Sequence, residues 1–302
     1  MARRIPDPLP LADLVDSWLL SLRAARKSPD TIKSYATGVR QFLAYCERER
    51  IPAVLDKPTV NAFIADLLDG GAEASTAHAR QRGIRRFSSW LAAEGEIDDD
   101  PLLGIAAPKI DTKVIPSLTD SQARAMVKAC KGRELRDRRD EAIVRLMLET
   151  GARAGEVVGM GTGDLDLVAL TVVVRRGKGG KGRVVPISAQ TGTAIDRYLR
   201  ARRGHRLADT PTLWLGESGQ GFTYNALYKT LGWRAELAGI PKFHPHMLRH
   251  TAASRWLAAG GSEGGLMSVA GWSSRHMIDR YVADTASSRA AEEARSLGLG
   301  DL

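Results

Sequence analysis

Three residues far apart in this chain carry side chains suited to chemistry on a phosphate ester. Arg153 and Arg249 are permanently charged, and each presents a planar fork of donors that matches phosphate oxygens. Tyr281 has a hydroxyl that can attack an electrophile and keep the product covalently, provided nearby charge assists it. Arg153 lies in Thr150-Gly151-Ala152-Arg153-Ala154-Gly155-Glu156, and Arg249 in His244-Pro245-His246-Met247-Leu248-Arg249-His250-Thr251. Tyr281 follows Ala270-Gly271-Trp272 and Asp279-Arg280. Between the arginine segments runs Arg175-Arg176-Gly177-Lys178-Gly179-Gly180-Lys181-Gly182-Arg183, five basic residues and no acid. Each residue alone has a plain structural alternative. Arg153 could be a helix-end cation and Lys178 a surface lysine. His246 could cap a helix, Trp272 anchor a core, and Tyr281 pack beside Met277 and Ile278. Only the ordered set argues for chemistry.

The elements that must position these residues are mostly helical. Leu11, Leu14, Val15, Trp18, Leu19 and Leu22 repeat with the period of an amphipathic helix. Ser28-Pro29-Asp30 opens a second helix, with Ile32, Tyr35, Val39, Phe42, Leu43 and Cys46 inward. A third follows Pro58 and stops at Gly70-Gly71, and a fourth runs from about Ser75 to Ala93. The fourth carries Arg80, Arg82, Arg85 and Arg86, with Arg82 and Arg86 on one face. This gives an N-terminal helical domain over 1–105, a Pro- and Gly-rich linker over 106–117, and a second domain over 118–302. The second domain opens on the capping box Thr119-Asp120-Ser121-Gln122. A helix over about Asp137–Thr150 ends at Gly151, and two short strands flank the basic tip as a β-hairpin. Helices fill the rest, although Gly260-Gly261-Ser262-Glu263-Gly264-Gly265 should weaken one of them by about 1 kcal/mol per interior glycine. The expected class is mainly α with a small β-hairpin or sheet, α+β.

Composition narrows the possible functions. Lys and Arg number 44 against 35 Asp and Glu, a formal charge of +9 that favours a polyanionic partner such as nucleic acid. Two cysteines, Cys46 and Cys130, make no disulfide framework and suit a cytoplasmic setting. No apolar run is long enough to span a membrane, no signal peptide is evident, and no carboxylate or Cys/His spacing suggests a metal site. Asp98-Asp99-Asp100 reads as a solvated turn.

In sequence order, the segment around Arg153, the Lys178 hairpin, His246-x-x-Arg249, Gly271-Trp272 and Tyr281 resemble the tyrosine recombinase (phage integrase) family. Trp272 stands nine residues before Tyr281, the spacing the family keeps. The resemblance covers nearly the whole chain and implies a helical core-binding domain followed by a catalytic domain. It implies catalytic roles for Arg153, Lys178, His246, Arg249, Trp272 and Tyr281, with support from Glu156 and His250. The two arginines would clamp the non-bridging oxygens, with His246 and Trp272 adding hydrogen bonds. Lys178, with Lys181 as its rival, would protonate the leaving 5′ oxygen, and Tyr281 would form a 3′-phosphotyrosine. No cofactor, ATP or metal is implied. Double-stranded DNA is the expected partner, bound by a dimer at each site and a tetramer in the synapse. Arg80, Arg82, Arg85, Arg86, Arg175, Arg176, Lys181 and Arg183 are the expected DNA contacts. The setting implied is cytoplasmic and nucleoid-associated. The absence of an extra leading domain suggests a simple recombinase on short inverted repeats. The tail after Tyr281 is expected to dock on a neighbouring subunit. Trp272 departs from the family's more usual histidine. The rival readings are a non-catalytic DNA-binding protein of this fold and a type I topoisomerase-like relaxing enzyme.

Overall fold

The computed structural model describes residues 10–110, 116–175, 182–217, 221–272, 274 and 278. The chain divides into two compact units, Met1–Lys113 and Val114–Leu302. It is mainly helical with one small antiparallel sheet, as the hydrophobic periodicities suggest.

The first unit holds α1 (Leu11–Ala24), α2 (Pro29–Arg48), α3 (Lys57–Asp69) and α4 (Ala74–Glu94). Ser28 caps α2 by accepting from the Thr31 amide, with Pro29 in the first turn. Asp56 caps α3 through the Thr59 amide, so this helix begins ahead of Pro58 rather than after it. The core is aromatic: Trp18 tilts against Phe87 at 5.1 Å, and Phe42 meets Phe63 edge-on at 5.7 Å. Two glycines let α2 and α4 cross closely. A Cβ on Gly38 would lie 2.5 Å from the Arg80 carbonyl oxygen, and one on Gly83 2.6 Å from that of Tyr35. Asp98 and Asp99 are exposed, while Asp100 accepts from Ser88 and from the Leu102 amide to hold the turn after α4.

The second unit holds α5 (Asp120–Ala129), α6 (Leu135–Thr150), α7 (Ala154–Val158), α8 (Ala189–Arg202), α9 (Tyr224–Leu237), α10 (His246–Ala258) and α11 (Glu263–Ala270). Its sheet, β1 (Leu165–Asp166), β2 (Thr171–Val174) and β3 (Arg183–Pro186), runs in the order β1-β2-β3. Val174 pairs with Arg183, so β2 and β3 close directly onto the basic loop. The two-residue β1 is an addition to the expected hairpin. α6 lies at the centre, with Ile143, Leu146 and Met147 buried against α8 and α10. A buried network of Asp140 with Arg139 and Arg234 ties α6 to α9. Thr251 Oγ1 donates to the Met247 carbonyl and accepts from the Leu118 amide, pinning the start of this unit to α10.

The glycine-rich stretch runs into the first turn of α11, which is capped by Ser262. Ser262 accepts from the Gly265 amide, and Trp256 Nε1 donates to the Ser262 carbonyl at 3.0 Å. A Cβ on Gly261 would sit 2.3 Å from that indole nitrogen, so Gly261 makes room for the Trp256 ring.

Candidate active site

The site is built where two helices end. α6 stops at Gly151, whose φ of 61° is left-handed and open to glycine at little cost. Ala152 is fully buried, and Arg153 then caps α7 with extended backbone. Glu156, in the first turn of α7, reaches back to the Arg153 amide with Oε2 (2.9 Å) and to Arg153 Nη1 with Oε1 (2.9 Å). The segment around Arg153 thus folds as a glycine stop followed by a capping box, and it leaves the Arg153 side chain 25 % exposed.

α11 ends on Gly271, also left-handed at φ 64°. Its last carbonyls receive three arginines from three other elements. Arg183 Nε donates to Val269 O (2.8 Å), Arg249 Nη2 to Ala270 O (2.8 Å) and Arg153 Nη2 to Gly271 O (3.4 Å). Arg249 also donates to Gly151 O, so both helix C-termini converge on its guanidinium. Cations are favoured at that end of a helix by the aligned peptide dipoles. Arg249 is 2 % exposed and lies over the Trp272 ring, its Cζ 5.1 Å from the centroid. Trp272 is itself buried, packed with Ala253, Leu257, Leu266, Ala270 and Ile278. Its ring thus packs against the Arg249 guanidinium.

His246 opens α10 and is exposed. Surrounding protein still desolvates it, and Arg249, His244 and Arg153 add repulsion, so its pKa falls below the usual histidine range. A neutral imidazole able to accept a proton results. His250 is buried one turn on, its ring centroid 5.4 Å from that of His246.

The Glu156 carboxyl is almost fully buried. Burial alone would raise its pKa, but the bonds from Arg183 and Arg153 outweigh that and hold it below the carboxylate range. Arg183 reaches it with Nη2 to Oε2 at 2.8 Å and Nη1 to Oε1 at 3.2 Å. Arg183 was expected among the DNA contacts. In this structure its fork reaches Glu156 and the Val269 carbonyl, and the side chain is 10 % exposed. Sequence position could not reveal this, because the partners lie on α7 and α11.

Arg175 pairs with buried Asp164 while most of its own side chain stays exposed. In α4, Arg82, Arg85 and Arg86 are exposed, and Arg80 is held by Gln41 at 2.6 Å. Lys178, Lys181, Arg176, Tyr281 and the tail beyond Tyr281 lie outside the described residues. Among the described residues no cluster of His, Cys, Asp and Glu could hold a metal, and no helix is long and apolar enough to cross a membrane.

Comparison with known proteins follows the same division. Residues 116–288 match the phage integrase family, and residues 14–96 match the phage integrase N-terminal SAM-like domain. A tyrosine recombinase XerC from Chromobacterium violaceum is 30 % identical over 276 residues, covering 90 % of each chain. Another XerC, from Azotobacter vinelandii, is 33 % identical over 254 residues, covering 82 % of each. Among solved structures, the XerH site-specific recombinase bound to a palindromic difH substrate superposes with a TM-score of 0.72 at 19 % identity, covering 94 % of this chain and 84 % of that one. The Tn1549 transposon integrase in complex with transposon right-end DNA gives 0.70 at 21 % identity, covering 94 % and 98 %.

Proposed function

The chain belongs to the phage integrase family and is a tyrosine-type site-specific recombinase, and from that premise we propose that it cuts and rejoins duplex DNA through a 3′-phosphotyrosine at Tyr281. The Tyr281 oxygen attacks the scissile phosphorus, and the bond from phosphorus to the 5′ oxygen breaks. The phenolic proton passes to neutral His246, and Lys178 protonates the departing 5′ oxygen. Arg153 and Arg249 stabilise the charge on the non-bridging oxygens, with Arg249 held from beneath by Trp272. The ester preserves the bond energy, so the 5′-hydroxyl of a second strand can reverse the attack and exchange partners.

The observation that carries this reading is the gathering of Arg153 and Arg249 at successive carbonyls of one helix end, beside a histidine held neutral. The exposed α4 arginines suit a phosphate backbone, and the N-terminal unit would serve as the core-type DNA-binding domain. A lambda integrase dimer has been solved on a core site. In the same manner two protomers would occupy each site here and four would form a synapse, acting on nucleoid DNA in the cytoplasm.

The test uses a duplex selected by binding from a random-sequence pool, nicked near its centre so that the cut product diffuses away. Wild type should give a slow-migrating covalent adduct on a denaturing gel, and Tyr281→Phe should bind the same DNA without forming one. A wild-type protein that binds the duplex yet forms no adduct would return the assignment to a non-catalytic DNA-binding protein.

A further inference from the structure

Glu156 is a single buried carboxylate shared by two guanidiniums. Its side chain is 4 % exposed, that of Arg183 10 % and that of Arg153 25 %. The two closed members face each other over two hydrogen bonds, and the open member takes one edge of the same carboxylate. One negative charge between two positive ones leaves one positive charge uncompensated, and the exposures place it on Arg153. Arg183 also donates to Val269 O, one residue before the carbonyl that Arg249 uses and two before that of Arg153. The contact is tight enough that a Cβ on Gly271 would lie 2.7 Å from Arg183 Nη1.

We propose that Arg183 is a positioning residue for Arg153: by occupying half of Glu156 it keeps the Arg153 charge available to the phosphate. The inference rests on the strand-transfer reading above. Without Arg183, the buried Glu156 carboxylate has Arg153 as its remaining cation among the described residues and closes on it as a neutral pair. The harm would then come from Glu156 itself, which separates this role from simple support of the fold.

The experiment follows adduct formation by the full chain on the nicked duplex described above, after DNA is bound. Arg183→Met should slow adduct formation by about tenfold or more, the scale of one lost charge-assisted contact. Its salt slope should fall by no more than the one phosphate contact that Arg153 loses, and adding Glu156→Gln should restore that slope. Adding Glu156→Gln to Arg183→Met should recover a large part of the lost rate, because the competing charge is gone. Arg183→Lys keeps a cation opposite Glu156 and should retain most of the rate, and it carries the test if Arg183→Met fails to fold. A salt slope that stays lower by about 1 in the double variant would make Arg183 itself a phosphate contact and overturn the proposal. So would a double variant no faster than Arg183→Met, or an Arg183→Lys as slow as a misfolded protein. Absence of an adduct in wild type would instead defeat the strand-transfer reading.

Discussion

Arg249 donates to the carbonyl oxygen of Ala270, the last residue of α11, at 2.8 Å. That bond fixes an arginine of α10 to the end of the helix that leads toward Tyr281, with Gly151 at the end of α6 as its second carbonyl. The ends of α6 and α11 are therefore tied together through one guanidinium.

Arg249→Ala should accordingly lose both chemistry and stability. Removing the donor leaves buried carbonyls without it, at a cost of about 2 kcal/mol or more. For a unit of this size that lowers the unfolding midpoint by about 4–8 °C. Arg249→Lys keeps charge but cannot bridge two carbonyls with a planar fork, so its adduct formation should stay far below wild type. Differential scanning calorimetry and the nicked-duplex assay check the two effects separately.

The depressed pKa of His246 sets the acid side of the rate profile. Desolvation by surrounding protein and the neighbouring Arg249, His244 and Arg153 all favour the neutral imidazole. Adduct formation at subsaturating DNA reports the free enzyme, and its acid limb should fall below about 6.5, the ordinary histidine value. The sign for folding agrees. The native state holds the proton more weakly than the unfolded chain, so this contribution to stability is present above about 6.5 and is lost as pH falls through the lowered value. His246→Gln should remove the acid limb and lower the plateau. A wild-type midpoint at or above about 6.5 would contradict the assignment of His246 as proton acceptor.

Much of this fold was legible because period and caps are local signals. Ser28, Thr119 and Gly151 each bound a helix that their neighbours already suggested. β1 escaped notice because Leu165–Asp166 is too short to carry an alternation. Within the site, the order of the segments could be read, but the partner of Arg183 could not. A basic residue beside a basic loop invites a DNA contact, and only the fold brings Glu156 and Val269 to it. The glycines around the start of α11 show the same limit of local signals. Their helix penalty is a local property, while the room they give the Trp256 ring is not.

Two helical glycines should respond in opposite directions to alanine. Replacing a helical glycine gains about 1 kcal/mol of propensity. At Gly232 in α9 no atom lies within reach of the added Cβ, so Gly232→Ala should raise the unfolding midpoint. At Gly83 the Cβ would meet the Tyr35 backbone oxygen at 2.6 Å, and backbone cannot rotate away. Overpacking of that kind costs about 1–3 kcal/mol, so Gly83→Ala should lower stability. Thermal unfolding of both variants in the full chain tests the α2–α4 crossing, and a stabilised Gly83→Ala would refute it.

Trp272 offers the last prediction, because it is buried against the Arg249 guanidinium and carries an indole N–H, so support and direct contact with substrate are separable roles. Trp272→Ala empties a packed cluster and should cost about 3–5 kcal/mol, together with most of the adduct-forming activity. Trp272→Phe keeps an aromatic face under the guanidinium and most of the apolar contact with Leu257 and Leu266. If the ring acts as a floor, the phenylalanine variant should fold and react within about tenfold of wild type, a barrier change of about 1.4 kcal/mol. If the indole N–H instead stabilises the reacting phosphate, Trp272→Phe should lose about 100-fold or more, as for a missing oxyanion donor, while keeping its stability. Measuring the rate and the unfolding midpoint on both variants separates the two, and the geometry around Arg249 favours the first.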